Sequence, residues 1–385
     1  MVEQSRLDEV VAVAETEPRY AIDTEFHRER TYFPQVALVQ LAWADQVVLI
    51  DPLEVDLRAM SPLLTGDGLC VLHAGVQDLE VLELACGTIP SRLLDTQIAA
   101  GFLGVPTGSL VSVLDRFLGV TVAKGDRLTD WMRRPLTVDQ RRYAASDVDH
   151  LLALTDVITA ELEQLGRLDW AMTESRLLLE RPRNRRTPDE AVARIKEARS
   201  LKGRQKAVAT AVAAWREDRA AEVDQPARQV LPDIAVVAVS QQQPTTPEQL
   251  AKLRGVDGRH TKPAIAAAIL EAVAAGVAAP KPPTRDRGVE LPRELRPVVT
   301  LVTSWISQLA RDHKLDPALL ATRSDVENLL KGVSGRLDEG WRADLVGGPI
   351  HALVEGKAAI AFDGEGRLVL EQRSGDPYRQ DPATN

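Results

Sequence analysis

Asp23 and Glu25 stand two residues apart in RYAIDTEFHRER, directly behind an apolar run. Residues i and i+2 of a strand face the same side, so a strand through this stretch would present both carboxylates together. Three further acidic positions follow. Asp78 lies in LHAGVQDLEVL, in the first turn of an expected helix, where the helix amides favour a charged carboxylate and should keep it ionised at neutral pH. Asp95 lies in LLDTQIAAGFLG at a strand-to-helix turn, and with Thr96 it reads as an N-cap rather than a ligand. Asp147 lies in PLTVDQRRYAASDVDHLLAL, four residues after Tyr143 and on the same helical face. Taken singly, each position has a bland reading: a solvated strand end, ordinary helix decoration, a tyrosine packed by its ring. Taken together they read differently. Asp23, Glu25, Asp78 and Asp147 converging in one domain would repel and raise one another's pKa values, and divalent cations resolve that conflict. Hard oxygen ligands with no His or Cys cluster point to Mg²⁺ or Mn²⁺ rather than zinc. A tyrosine hydroxyl one turn from a metal-binding carboxylate can hold a water on that metal, with the small Ala144 and Ala145 leaving the approach open.

The elements that must position these groups follow from the apolar pattern. Residues 19–26, 35–43 and 46–51 read as three short strands in an antiparallel meander. LCVLHA at 69–74 is strand-like, QDLEVLELACG at 77–87 helical and LLDT a short strand. Helices are expected near 109–118 and over 137–164, the second opened by Thr137 and Gln140 at capping-box spacing. A meander followed by alternating strand and helix predicts an α/β domain over 1–165, a mixed sheet with helices on both faces. A basic helical connector is expected over 166–204, an alanine-rich helical bundle over 205–278, a proline-rich linker over 279–292, a second all-helical domain over 293–370 and a disordered tail over 371–385.

With 385 residues and 44% hydrophobic content, the chain can build two or three domains with their own cores. It shows neither a basic-then-apolar leader nor about eighteen uninterrupted apolar residues, which predicts a soluble, cytoplasmic protein without a membrane partner. Cys70 and Cys86 sit in apolar segments and suit buried thiols in a reducing compartment. A net charge of -9 argues against a nucleic-acid partner, but the charge is unevenly spread. Residues 1–160 hold roughly 24 acidic and 13 basic side chains, whereas 181–206 hold roughly 10 basic and 3 acidic. That basic run is either a solvated linker or a surface that meets phosphates.

DTEF, HAGVQDLEVL and YAASDVDHLL, in that order and with TDWMRRPLT ahead of the last, resemble the motifs of the bacterial ribonuclease D family of DEDD exonucleases, in its tyrosine subclass. GRLDWAMTESRLLLERP at 166–182 resembles the segment that follows the nuclease domain there, and AAWREDRAAEVDQPARQVLPD with PEQLAKLRGV resembles a first HRDC domain. Residues 293–370 are similar to a second HRDC domain only in length and helical character. The resemblance implies an RNase H-like nuclease fold followed by two HRDC-type domains, and a two-metal site using Mg²⁺ or Mn²⁺. Asp23, Glu25 and Asp147 would hold the first ion, Asp23 would bridge to a second supported by Asp78, and Tyr143 would orient the attacking water. Thr24 and Phe26 would contact the terminal nucleotide, His73 and Gln77 would line the groove, and Trp131, Arg133 and Arg134 would meet phosphate or base. Thr129 stands where the family pattern leads one to expect serine; it keeps the hydroxyl, though the 123–130 loop can contact substrate differently. The implied activity is 3′-end trimming of structured RNAs such as tRNA precursors, by a monomer, with release of nucleoside 5′-monophosphates from a single-stranded 3′ end. Two other readings stay open: a DNA 3′-exonuclease of repair or proofreading, and an inactive nucleic-acid-binding protein.

Overall fold

The computed structural model describes residues 4–122, 129–183, 186–279 and 291–373. Its first part contains α1 (Gln4–Ala14), β1 (Arg19–His27), β2 (Gln35–Trp43), β3 (Gln46–Ile50), α2 (Ser61–Thr65), β4 (Leu69–Leu72), α3 (Val76–Cys86), β5 (Leu93–Asp95), α4 (Thr96–Gly101), α5 (Leu110–Leu118), α6 (Val138–Asp149) and α7 (Leu151–Gln164). The strands form one mixed sheet in the order β3-β2-β1-β4-β5, antiparallel through β1–β2–β3 and parallel through β1–β4–β5. Alternation along β1 and β2 gives the sheet two apolar faces. Tyr20, Ile22, Val39 and Leu41 join a core with α1, α2 and α3. Ala21, Ala42, Val71 and Leu94 join another with α4, α5 and α7.

Two features of this part matter for the site. β4 pairs with β1 only over Arg19–Ala21, so β1 runs on past its parallel neighbour with one edge open. The β4–α3 turn is tight: Ala74 sits at φ 59, and a Cβ on Gly75 would lie 2.5 Å from a Leu72 methyl. The Asp95 carboxylate fixes this turn from below, accepting from Ala74 N and Gly75 N (3.1 and 2.9 Å) as well as from Gln97 N and Ile98 N of α4. Its N-cap role thus extends to aiming α3.

The expected helix over 137–164 is two helices. Thr137 and Gln140 make the capping box, but the regular hydrogen bonding stops at His150 (φ -105, ψ -2), whose N–H turns to the Val148 carbonyl. The break lets α6 lie across β1, β2 and β3 while α7 turns onto β1 and β4 beside α4 and α5.

The connector holds α8 (Leu168–Leu179) and α9 (Pro188–Ala193). A helical bundle follows: α10 (Gly203–Glu222), α11 (Ala227–Val230), α12 (Asp233–Gln242), α13 (Pro247–Leu250) and α14 (Pro263–Ala278). The last region contains α15 (Arg296–Asp312), α16 (Pro317–Leu320), α17 (Arg323–Leu330), α18 (Gly340–Arg342), a π-helical turn at Ala343–Gly347 and α19 (Gly348–Val354), and it ends in a hairpin, β6 (Ala358–Phe362) and β7 (Leu368–Gln372). This domain is therefore not all-helical. Asp363 accepts from Glu365 N and Arg367 N, and Gly364 and Gly366 take φ of 85 and 90, a turn that the DGEG sequence favours. β7 also reaches Gln372, inside the segment expected as tail; 374–385 and 280–290, which hold most of the tail and linker, lie outside the described residues. Among the described residues no helix is long and apolar enough to cross a membrane.

Candidate active site

Asp23 and Glu25 project from the same face of β1 toward α6, which carries Tyr143 and Asp147. Carboxylate oxygens of Asp23, Glu25 and Asp147 all lie within 4.8 Å of one another, a spacing able to hold a metal ion. Asp78 arrives from the opposite side. The open edge of β1 exposes the Thr24 N–H, and Asp78 in the first turn of α3 accepts both from that N–H (3.1 Å) and from the Thr24 hydroxyl (2.6 Å). Asp147 accepts a hydrogen bond from the Tyr143 hydroxyl one turn earlier.

The electrostatics follow from burial and crowding. Burial and the charges of Asp78, Asp147 and Glu25 push the Asp23 carboxyl well above the usual range. Glu25 is pushed up to about 8 by burial and by Asp147 and Asp78. Burial raises Asp147 to about 7 against the opposing Tyr143 hydrogen bond. Asp78 is raised to about 6 by burial, with the Thr24 donors holding it back, so it still ionises at neutral pH. The charges acting on this cluster are other carboxylates, and a divalent cation is the natural counter-charge. The donor set fits Mg²⁺ or Mn²⁺: all ligands are hard carboxylate oxygens, and no His or Cys enters the group.

The residues expected around the carboxylates divide. Phe26 is half-buried at the end of β1, and Gln77 and Arg133 are exposed. Thr24 is 6% exposed, with its N–H and hydroxyl engaged by Asp78. His73 bridges Thr96 Oγ1 (2.8 Å) and the Gly108 carbonyl (3.0 Å), which ties β4 to α4 and occupies both ring nitrogens. Trp131 is buried and tilts against the Tyr143 ring at 6.1 Å, in a cluster with Ala37, Leu38, Leu136 and Ala144. It packs behind the tyrosine.

Arg134 is a correction. Its guanidinium pairs with the buried Asp51 and donates to the carbonyls of Ala37, Trp131 and Arg133, which leaves no N–H for phosphate. The segment 129–136 is thereby clamped to β2. Arg28, in the DTEF stretch, likewise has an internal partner: it makes two 2.7 Å bonds to Glu80 of α3. The Arg134–Asp51 clamp was missed from sequence because its partners are 83 residues apart.

These features are a carboxylate cluster able to hold a divalent cation, and the comparisons place it in an exonuclease domain. Residues 1–163 match the family described as 3′–5′ exonuclease, and residues 205–273 match the HRDC domain. The chain is 35% identical to a ribonuclease D of Gluconacetobacter diazotrophicus, with 92% of each chain covered. It is also 35% identical to one of Nitrobacter hamburgensis, over 93% of this chain and 95% of the relative. The crystal structure of Escherichia coli RNase D, an exoribonuclease involved in structured RNA processing, superposes with a TM-score of 0.80 at 31% identity, covering 92% of this chain and 99% of that one. The chain belongs to the ribonuclease D family. It is thus a 3′–5′ exoribonuclease, a hydrolase of phosphodiester bonds, with one HRDC domain matched in sequence.

Proposed function

We propose that this enzyme removes nucleoside 5′-monophosphates one at a time from the single-stranded 3′ end of structured RNAs, tRNA precursors among them. The observation that carries the reading is the convergence of Asp23, Glu25 and Asp147 within 4.8 Å, with Asp78 held beside them by Thr24. Asp23, Glu25 and Asp147 would hold one Mg²⁺ or Mn²⁺, and Asp23 with Asp78 a second. When bound, such a pair supplies charge to the attacking and leaving oxygens of an in-line displacement. The chain's own groups do the rest. Tyr143, backed by Trp131, orients the water; Thr24 aims Asp78; Phe26, Gln77 and Arg133 meet the terminal nucleotides. All four carboxylates come from one chain, so the proposed working unit is a monomer. Buried free thiols at Cys70 and Cys86 suit a cytoplasmic setting.

Within the basic segment, Arg183 donates to the Leu178 and Leu179 carbonyls and Arg186 pairs with Glu217, so these two build the domain seam. The exposed Arg194, Lys196, Arg199, Lys202 and Arg204 are the side chains proposed to meet the RNA body. The last domain is proposed as a divergent HRDC module, because α15, the single turn α16 and α17 repeat the order of α10, α11 and α12, and a Pro-Ala pair stands at the start of each single turn, Pro226 as the N-cap of α11 and Pro317 as the first residue of α16. The test is cleavage of matched RNA and DNA strands by the wild type, Asp23→Ala and Asp147→Asn. The reading predicts Mg²⁺- or Mn²⁺-dependent loss of RNA that both variants abolish; rates unchanged in the variants overturn it.

A further inference from the structure

Gln40 is fully buried at the centre of β2, and neither its amide nitrogen nor its amide oxygen has a hydrogen-bond partner. Buried amides are nearly always paired, because leaving one unpaired forfeits its bonds to water without replacement. The other orphaned side-chain atoms among the described residues, Arg183 Nε, Arg216 Nε and His260 Nε2, belong to groups bonded elsewhere through their remaining nitrogens. Among the described residues Gln40 alone has its whole buried polar group unmatched. Nothing local requires an amide there: its strand neighbours are Val39 and Leu41, and it lies opposite Leu49 of β3.

The ladder shows what is near it. Gln40 is the residue directly opposite Asp23 in the antiparallel β1–β2 pair, as Leu38 is opposite Glu25. Directly opposed residues point to the same face with Cβ atoms about 4.5–5.5 Å apart. That face is covered by α6, whose Ala144 packs with Leu38. The orphaned amide therefore lies in the layer between the sheet and α6 that holds Asp23, Glu25 and Asp147.

We propose that Gln40 is a positioning residue for Asp23: in the cation-bound enzyme its amide N–H donates to the Asp23 carboxylate, directly or through one bound water. The inference rests on the metal-site reading above. Which end of the amide faces Asp23 is a free rotation of the side-chain terminus, so the donor can be presented without moving the strand. Partners of ligating carboxylates in this role typically set metal affinity and activity by about 10- to 100-fold.

The test is Gln40→Met, which keeps length and removes the amide, with Gln40→Leu as a second variant and Asp23→Asn as a control. Mn²⁺ affinity is measured by calorimetry, melting temperature with and without Mn²⁺, and kcat and KM on a single-stranded RNA. The expected result is a metal-free melting temperature equal to or above wild type in at least one Gln40 variant. In that variant Mn²⁺ affinity and kcat should each fall by about 10- to 100-fold, with KM for RNA unchanged. The proposal is overturned if both variants keep wild-type Mn²⁺ affinity and kcat, whatever their melting temperatures; a purely structural amide would give that pattern. Wild type that binds no Mn²⁺ would instead sink the metal-site reading itself, and Asp23→Asn retaining full affinity would do the same.

Discussion

The two helical regions that follow the nuclease domain are joined to it in opposite ways. The HRDC domain has its own core, built from Val208, Val212, Val236, Ile269 and their neighbours. It meets the nuclease through polar contacts next to the DTEF stretch. Glu217 of α10 accepts from the Tyr32 hydroxyl and from Arg186, both at 2.9 Å, and Asp224 accepts from Tyr32 N and Phe33 N at 3.0 and 3.1 Å. Among the described residues the last domain has no separate core. Val299, Val302, Leu320, Val326, Trp341 and Ile350 join one apolar cluster with Phe102, Leu151 and Ile158 of the nuclease. Trp341 stacks on Trp170 at 4.9 Å and meets Phe102 edge-on at 5.2 Å, while the buried Arg342 pairs with Glu174. Apolar area removed from water stabilises in proportion to its extent, whereas polar contacts at a seam exchange for contacts with water at small net gain. The last domain should thus fold and unfold with the nuclease, and the HRDC domain should keep its own stability and be oriented, more than stabilised, by its seam.

Breaking the apolar joint should have the largest effect. Trp341→Ala is expected to cost about 3–5 kcal/mol in denaturant unfolding and to destabilise the nuclease domain in the same transition. A variant that melts the last domain alone would refute the shared core. Glu174→Ala strands the Arg342 guanidinium, whose side chain is 5% exposed, and should cost about 3 kcal/mol by the same measurement. At the polar seam, Tyr32→Phe should cost about 1 kcal/mol or less. Its expected signature is a wider spread of domain separations in small-angle scattering, increasing with salt, with the melting temperature lowered by no more than about 4 °C; a stability loss as large as that of Trp341→Ala would erase the contrast.

A further prediction separates the nuclease centre from both seams. Each clustered carboxyl group has a folded-state pKa above its unfolded value, so its stability contribution is fully present below about pH 4 and is lost as pH rises through the folded pKa. Those values are about 6 for Asp78, about 7 for Asp147 and about 8 for Glu25. In EDTA the melting temperature of the nuclease transition should fall between pH 4 and 8, and saturating Mn²⁺ should flatten that fall. A pH-independent difference between the two conditions would count against the cluster as the metal site.

The sequence showed the candidate carboxylate cluster more readily than the scaffolding. Asp23, Glu25, Asp78, Tyr143 and Asp147 were legible because their types and intervals are local properties of a strand and two helices. The strands were legible because QVALVQLAW and QVVLI are apolar runs between turns. The break at His150 was not, since no Gly or Pro marks it and it follows from α6 and α7 packing on different parts of the sheet. The closing hairpin was missed because AAIAF extends a helical run, although DGEG carried the turn signal. Arg134 and His73 looked like ligand contacts because their partners, Asp51 in one case and Thr96 and Gly108 in the other, come from distant segments. Gln40 was hidden as a single polar letter in a strand, and only its register opposite Asp23 gives it meaning.

The most direct test of the central claim, that the carboxylate cluster drives stepwise hydrolysis from the 3′ end, is digestion of one RNA labelled separately at its 5′ and 3′ ends. With Mg²⁺ or Mn²⁺ present, the 3′ label should leave at once as a mononucleotide while the 5′-labelled strand shortens in single-nucleotide steps, and both should stop in EDTA and in Asp23→Asn. Internal fragments, loss from the 5′ end, or cleavage that survives EDTA would contradict it.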